Sequence, residues 1–106
     1  MTMPSYDAVW LEEQVQIPLD ELERASGLSS AEIVELVEYG VFTPQGRRPV
    51  EWRFAARSII IGRTANRLRT NFELSPSAVA LALGMIERIE ELQRQIQTLE
   101  AQLPRE

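Results

Sequence analysis

The chain contains no cysteine, no histidine and no lysine. Without cysteine there is no disulfide and no thiol sensor, and without both cysteine and histidine there is no conventional zinc or copper site. The same absences remove a Ser-His-Asp or Cys-His nucleophile. Without lysine there is no Schiff-base chemistry and no P-loop lysine, and the sequence has no Gly-rich phosphate loop either. No apolar run approaches the roughly 20 residues that span a bilayer. Residues 1–10 lack the basic start and apolar stretch of a secretory signal. The expectation is a cytoplasmic protein that is not an enzyme and needs no metal, cofactor or small-molecule ligand. A hydrolase built on carboxylates alone would need two acids facing each other across a pocket, and nothing in the sequence sets such a pair.

What is present is the ordinary mixture of one globular domain: 106 residues, 44% hydrophobic and 25% charged. A chain of this length holds one modest core, so a partner helix would add to its stability. All eleven basic residues are arginine, which a GC-rich coding bias explains more simply than selection for guanidinium. The net charge of −5 is spread unevenly. Residues 1–46 carry nine acids against the single Arg24, whereas residues 47–72 carry seven arginines against Glu51. Residues 73–106 are mildly acidic. A uniformly basic chain would point to nucleic acid; this one has an acidic front and a basic middle.

Residues 1–13 have no firm periodicity and read as an amino-terminal arm. Val15 and Ile17 alternate with Gln14 and Gln16 as in a short strand. Pro18 suits a first helical turn, and Asp20 and Glu21 lie near the positive end of that helix. Leu19, Leu22 and Ala25 share a face, and Gly27 ends the helix by accepting a left-handed backbone. Ser29 and Glu32 form an S-x-x-E capping box for a second helix with Ile33, Leu36 and Val37 inward, closed by Gly40. Two short helices joined by a Gly-Leu-Ser turn make a helix-turn-helix.

Beyond the turn cluster Thr43-Pro44-Gln45-Gly46, the run Val50-Glu51-Trp52-Arg53-Phe54 alternates as a half-buried strand does, and reads as a wing. Trp52 and Phe54 are expected to pack that wing on the head. Residues 55–70 read as a third helix with Ile59, Ile60 and Leu68 inward. Ser75-Pro76 marks the next helix start. In that last helix Ala78, Ala82, Met85, Ile89, Leu92, Ile96, Leu99 and Leu103 alternate spacings of four and three, a heptad seam. The stretch from Ile89 to Leu103 projects about 20 Å at roughly 1.5 Å per residue. A seam of that length calls for a partner helix, so a homodimer is expected. Isoleucine and leucine at alternate seam positions suit a parallel pair. Gly84, inside this helix, is tolerated at a cost of about 1 kcal/mol and is expected to permit close helix approach.

The order of these parts resembles the MerR-type regulator head: a short strand, the L-D-E-L-E-R-A-S-G-L-S helix-turn-helix, the Y-G-V-F-T-P exit, a wing, the R-L-R-T-N-F-E-L-S-P boundary and a coiled-coil tail. The resemblance covers residues 14–103. It implies a mainly all-α fold: residues 14–72 as a winged helix-turn-helix head with a small β-wing, and residues 73–106 as a coiled-coil dimerisation helix. It also implies antiparallel pairing of the tails, so both orientations stay open. Within that group the V-E-Y-G-V-F-T-P segment, the W-R-F wing strand and the A-V-A-L-A-L entry to the tail look most like chaperone modulators of the CbpM kind. Those are small MerR-like proteins that bind and restrain the J domain of a CbpA/DnaJ-like co-chaperone.

DNA-reading members of the group put arginine and tyrosine early in the second helix, where this chain has Glu32, Glu35 and Glu38. Carboxylates there would meet phosphates at short range and reverse the main favourable term in DNA binding. They suit instead the basic helix that J domains present beside their HPD loop. The expected partner-binding residues are therefore Glu32, Glu35 and Glu38, with Tyr39 as an aromatic anchor. The plainer reading is a solvated helix face. The alternative function is a MerR-like transcription regulator whose basic wing and third helix touch DNA through Arg47, Arg48, Arg53 and Arg57, supported by Arg63, Arg67 and Arg69. Those arginines could equally pair with the acidic front. The cysteines of a metal-sensing regulator are absent, and so is any membrane span.

Overall fold

Two backbone demands set the start and stop of the first helix. Pro18 is extended, with φ −77° and ψ 169°, and immediately precedes the helix. Gly27 takes φ 86°, the left-handed region that side chains resist, and its N–H donates to the Glu23 carbonyl at 3.0 Å. The computed structural model describes residues 15–104; the expected arm, residues 1–13, lies outside them. Within that span the elements are β1 (Gln16–Pro18), α1 (Leu19–Ser26), α2 (Ser30–Glu38), a 3-10 turn (Pro49–Glu51), β2 (Arg53–Ala55), α3 (Ser58–Phe72) and α4 (Pro76–Gln102). Pro18 thus closes β1 instead of occupying the first turn of α1, because it is held in the strand opposite Arg53.

The capping box of α2 is present in full. The Ser29 hydroxyl accepts from the Glu32 N–H at 3.1 Å, and Glu32 Oε1 accepts from the Ser29 N–H at 2.9 Å. The second oxygen of Glu32 lies 2.6 Å from Arg69 Nε of α3 in a close ion pair that is not aligned as a hydrogen bond. Arg69 is held in turn by Asn66 Oδ1, which accepts from its Nη2 at 2.9 Å.

β1 and β2 pair antiparallel with Ile17 opposite Phe54. The strand expected over residues 50–54 is shorter than its alternation suggests. Pro49 starts a 3-10 turn whose Trp52 N–H reaches the Pro49 carbonyl at 3.2 Å, and Val50 stands exposed. Arg53 also exchanges backbone hydrogen bonds with Gln45, both at 2.9 Å. The wing does pack on the head. Phe54 is buried and receives Phe42 and Trp52 edge-on, each with ring centroids 5.9 Å apart.

The core joins Ile17, Leu22, Leu28, Ile33, Leu36, Phe42 and Phe54 to Ala65, Val79 and Leu83. α3 contributes to it mainly through small residues. Ser58, Gly62 and Ala65 are its buried positions, Ile59 and Leu68 are half-buried, and Ile60 faces solvent, against expectation. The reason is steric. α1 and α3 approach so closely that a Cβ on Gly62 would stand 2.7 Å from Ser26 Cβ, so the contact excludes large side chains.

α4 begins as expected, with the Ser75 hydroxyl accepting from the Ala78 N–H at 3.3 Å and Pro76 in the first turn. Its buried residues are Val79 and Leu83, whereas Ala78 and Ala82 are only half-buried. From Gly84 onward every residue described is exposed. No described helix is long and apolar enough to cross a membrane.

Two substitutions check these contacts in urea unfolding. Gly62→Ala should cost about 1–3 kcal/mol through overpacking against Ser26. Glu32→Ala should cost about 1–2 kcal/mol through the lost cap and ion pair, whereas Glu35→Ala should stay within about 0.5 kcal/mol.

Candidate partner-binding face and dimerisation seam

With Ile33 and Leu36 inward, helical spacing turns Glu35 and Glu38 outward, and both are exposed. Neither makes an ion pair among the described residues. Tyr39 ends α2, its N–H donating to the Glu35 carbonyl at 3.1 Å, and the residue is 54% exposed. The structure therefore brings Glu35, Glu38 and Tyr39 onto one open surface. Glu32 differs from them, being half-buried with both oxygens engaged inside the chain. The capping-box pattern was the signal for one of those engagements. No local pattern announced the other, since Arg69 is far along the sequence.

The arginines of the basic middle are held in several ways. Arg69 pairs with Glu32 of the acidic front, and Arg48 with its neighbour Glu51 at 3.1 Å. Arg53 Nη1 donates to the Trp52 carbonyl at 3.0 Å, and Arg67 Nη2 to Thr64 Oγ1 at 3.3 Å. Arg63 reaches across to α1, where its Nε donates to the Ala25 carbonyl at 3.0 Å. Arg47 is exposed. Arg53 and Arg57 line a groove of about 510 Å³ between the sheet, the exit of α2 and α3, with Glu87 of α4 at its far side.

The seam residues Met85, Ile89, Leu92, Ile96, Leu99 and Leu103 are all solvent-facing, from 40% exposed at Leu92 to 66% at Leu103. Leu103 sits just past the helix end as its cap. Leu81, four residues before Met85, is exposed too and extends the same stripe, a position the sequence reading passed over. On this helix the two apolar faces diverge: Val79 and Leu83 turn to the head, while Leu81 and Met85 start the outer seam.

The arrangement of head, wing and tail matches known proteins over nearly its whole length. The family model for MerR HTH family regulatory proteins matches residues 17–101. The chaperone modulatory protein CbpM of Pseudomonas putida (strain W619) is 32% identical over 91 residues, 86% of this chain and 90% of that protein. Its counterpart in Pseudomonas entomophila (strain L48) is 33% identical over the same shares. That of Coxiella burnetii (strain Dugway 5J108-111) is 28% identical over 100 residues, 94% of each chain. With these matches and the winged helix-turn-helix geometry, the chain belongs to the MerR-like helix-turn-helix family and, within it, to the CbpM chaperone modulatory proteins.

Proposed function

We propose that the protein binds the J domain of a CbpA/DnaJ-like co-chaperone and restrains it by covering the basic surface through which that domain engages Hsp70. The observation that carries this reading is the open face of α2, where Glu35, Glu38 and Tyr39 lie together and make no ion pair among the described residues. Carboxylates on a rigid helix steer a basic partner and penalise wrong ones, and an adjacent tyrosine supplies apolar contact with a polar tip. Glu32 stands behind this face and fixes its direction instead of adding a third free charge. The relatives named chaperone modulatory protein support a chaperone partner. The role is binding, without chemistry on the partner.

A DNA-reading role is the weaker alternative. The second helix of such a head meets the duplex, and here its outward charges are carboxylates, which repel phosphate.

The working form is a homodimer through the outer seam of α4. An exposed apolar stripe running from Leu81 to Leu103 is a liability in a monomer. Pairing two such helices removes it by knobs-into-holes packing.

Titration calorimetry of the whole protein against an isolated J domain tests the first reading. Glu35→Arg with Glu38→Arg should weaken binding at least about a hundredfold, with a generic DNA duplex silent throughout. Retained affinity would overturn the assignment of this face. Tight, salt-sensitive duplex binding with a silent J domain would instead transfer function to the arginines. Sedimentation tests the second reading: Ile96→Glu should convert a dimer to a folded monomer, and a dimer that persists would remove the seam as its basis.

A further inference from the structure

Glycine is among the poorest residues for a helix interior, and Gly84 sits inside α4. At Gly62 the chain itself explains the glycine, since a side chain there would strike Ser26. At Gly84 it does not: a Cβ built on it meets no atom within 4 Å.

Gly84 lines a notch of about 200 Å³ between the end of α2 and the early turns of α4. Its less exposed lining comes from Val41, Ile61 and Leu83, and its exposed lining from Tyr39 and Glu87. Glu35 lies one turn before Tyr39 on the neighbouring helix, so the approach to the notch is acidic from both helices. Glu35, Glu38 and Glu87 make no ion pair among the described residues. At its other end the notch shares Val41, Ile61 and Glu87 with the groove that holds Arg53 and Arg57. Glu87 stands where the two meet, so the acidic approach to the notch runs from Glu35 and Glu38 on α2 to Glu87 on α4.

We propose that this notch receives one apolar side chain of a cationic amphipathic helix on the partner, with the basic residues of that helix resting on Glu35, Glu38 and Glu87. The inference rests on the J-domain reading and extends the footprint from α2 to α4. A second copy of the chain does not compete for it. Gly84 lies about 60° around the helix from Leu81 and about 100° from Met85, on the side that faces the end of α2, so seam and notch can be filled together.

The test uses Gly84→Leu, which fills the notch, and Gly84→Ala, which only adds a Cβ, in the full chain. Both should keep the dimer in sedimentation and unfold in urea no earlier than the parent protein. Calorimetry against an isolated J domain should show Kd raised at least about tenfold by Gly84→Leu and less by Gly84→Ala. If Gly84→Leu binds as tightly as the parent while reversal of Glu35 and Glu38 abolishes binding, the notch is refuted and the α2 reading survives. If the parent protein does not bind the J domain, both fall together.

Discussion

Both oxygens of one carboxylate hold the second helix in place. Glu32 Oε1 closes the capping box on Ser29, and Oε2 pairs with Arg69 of α3. The first contact decides where α2 begins, and the second decides how it is rotated against the helix behind it. The outer side of α2 depends on that rotation, because among the described residues the side chains of Glu35 and Glu38 make no ion pair to orient them. A negative charge in the first turn is also favoured by the helix dipole. Arg69 balances it, so the unbalanced acidity of α2 comes from the two outward glutamates.

α4 meets a different constraint, since it must satisfy two apolar faces with one head. Val79 and Leu83 are covered by the core, and the helix then leaves the head altogether. The outer stripe from Leu81 onward is exposed among the described residues. In the proposed homodimer a second helix covers it, which would add to a core of only modest size. This division leaves the α2 face and the notch beside it uncovered by the seam.

Punctuation was the most legible part of the sequence, because it acts over three or four residues. Gly27, the Ser29–Glu32 box and Ser75-Pro76 each specify a local backbone event, and each stands where it was read. Periodicity was less reliable wherever packing chose against size. Ile60 was assigned inward for its apolarity, yet the crossing of α1 and α3 leaves room only for Gly62 and Ala65. The alternation over residues 50–54 suggested a longer strand than Pro49 permits. In α4 two apolar stripes overlap in sequence, so the spacing puts Ala78 and Ala82 in the seam and does not single out Val79 and Leu83, the pair that the core buries. As for the α2 face, its outward glutamates follow from the wheel. The Arg69 contact that makes Glu32 different is tertiary and has no sequence signature.

The arginines show why local charge counts alone do not assign function on this fold. Summed over residues 47–72 they look like a nucleic-acid surface. Several are committed elsewhere: Arg63 satisfies the Ala25 carbonyl near the end of α1, where the helix leaves acceptors unpaired, and Arg69 neutralises Glu32. A guanidinium bound to a carbonyl keeps its charge but loses freedom to follow a phosphate backbone. Among the described residues the outward carboxylates of α2 make no ion pair. On the proposed reading the second helix meets the partner, so the charge it leaves unpaired among the described residues weighs more than a larger total held farther back. That ordering favours a basic protein surface over a duplex, and it does so through position and pairing, not through net charge.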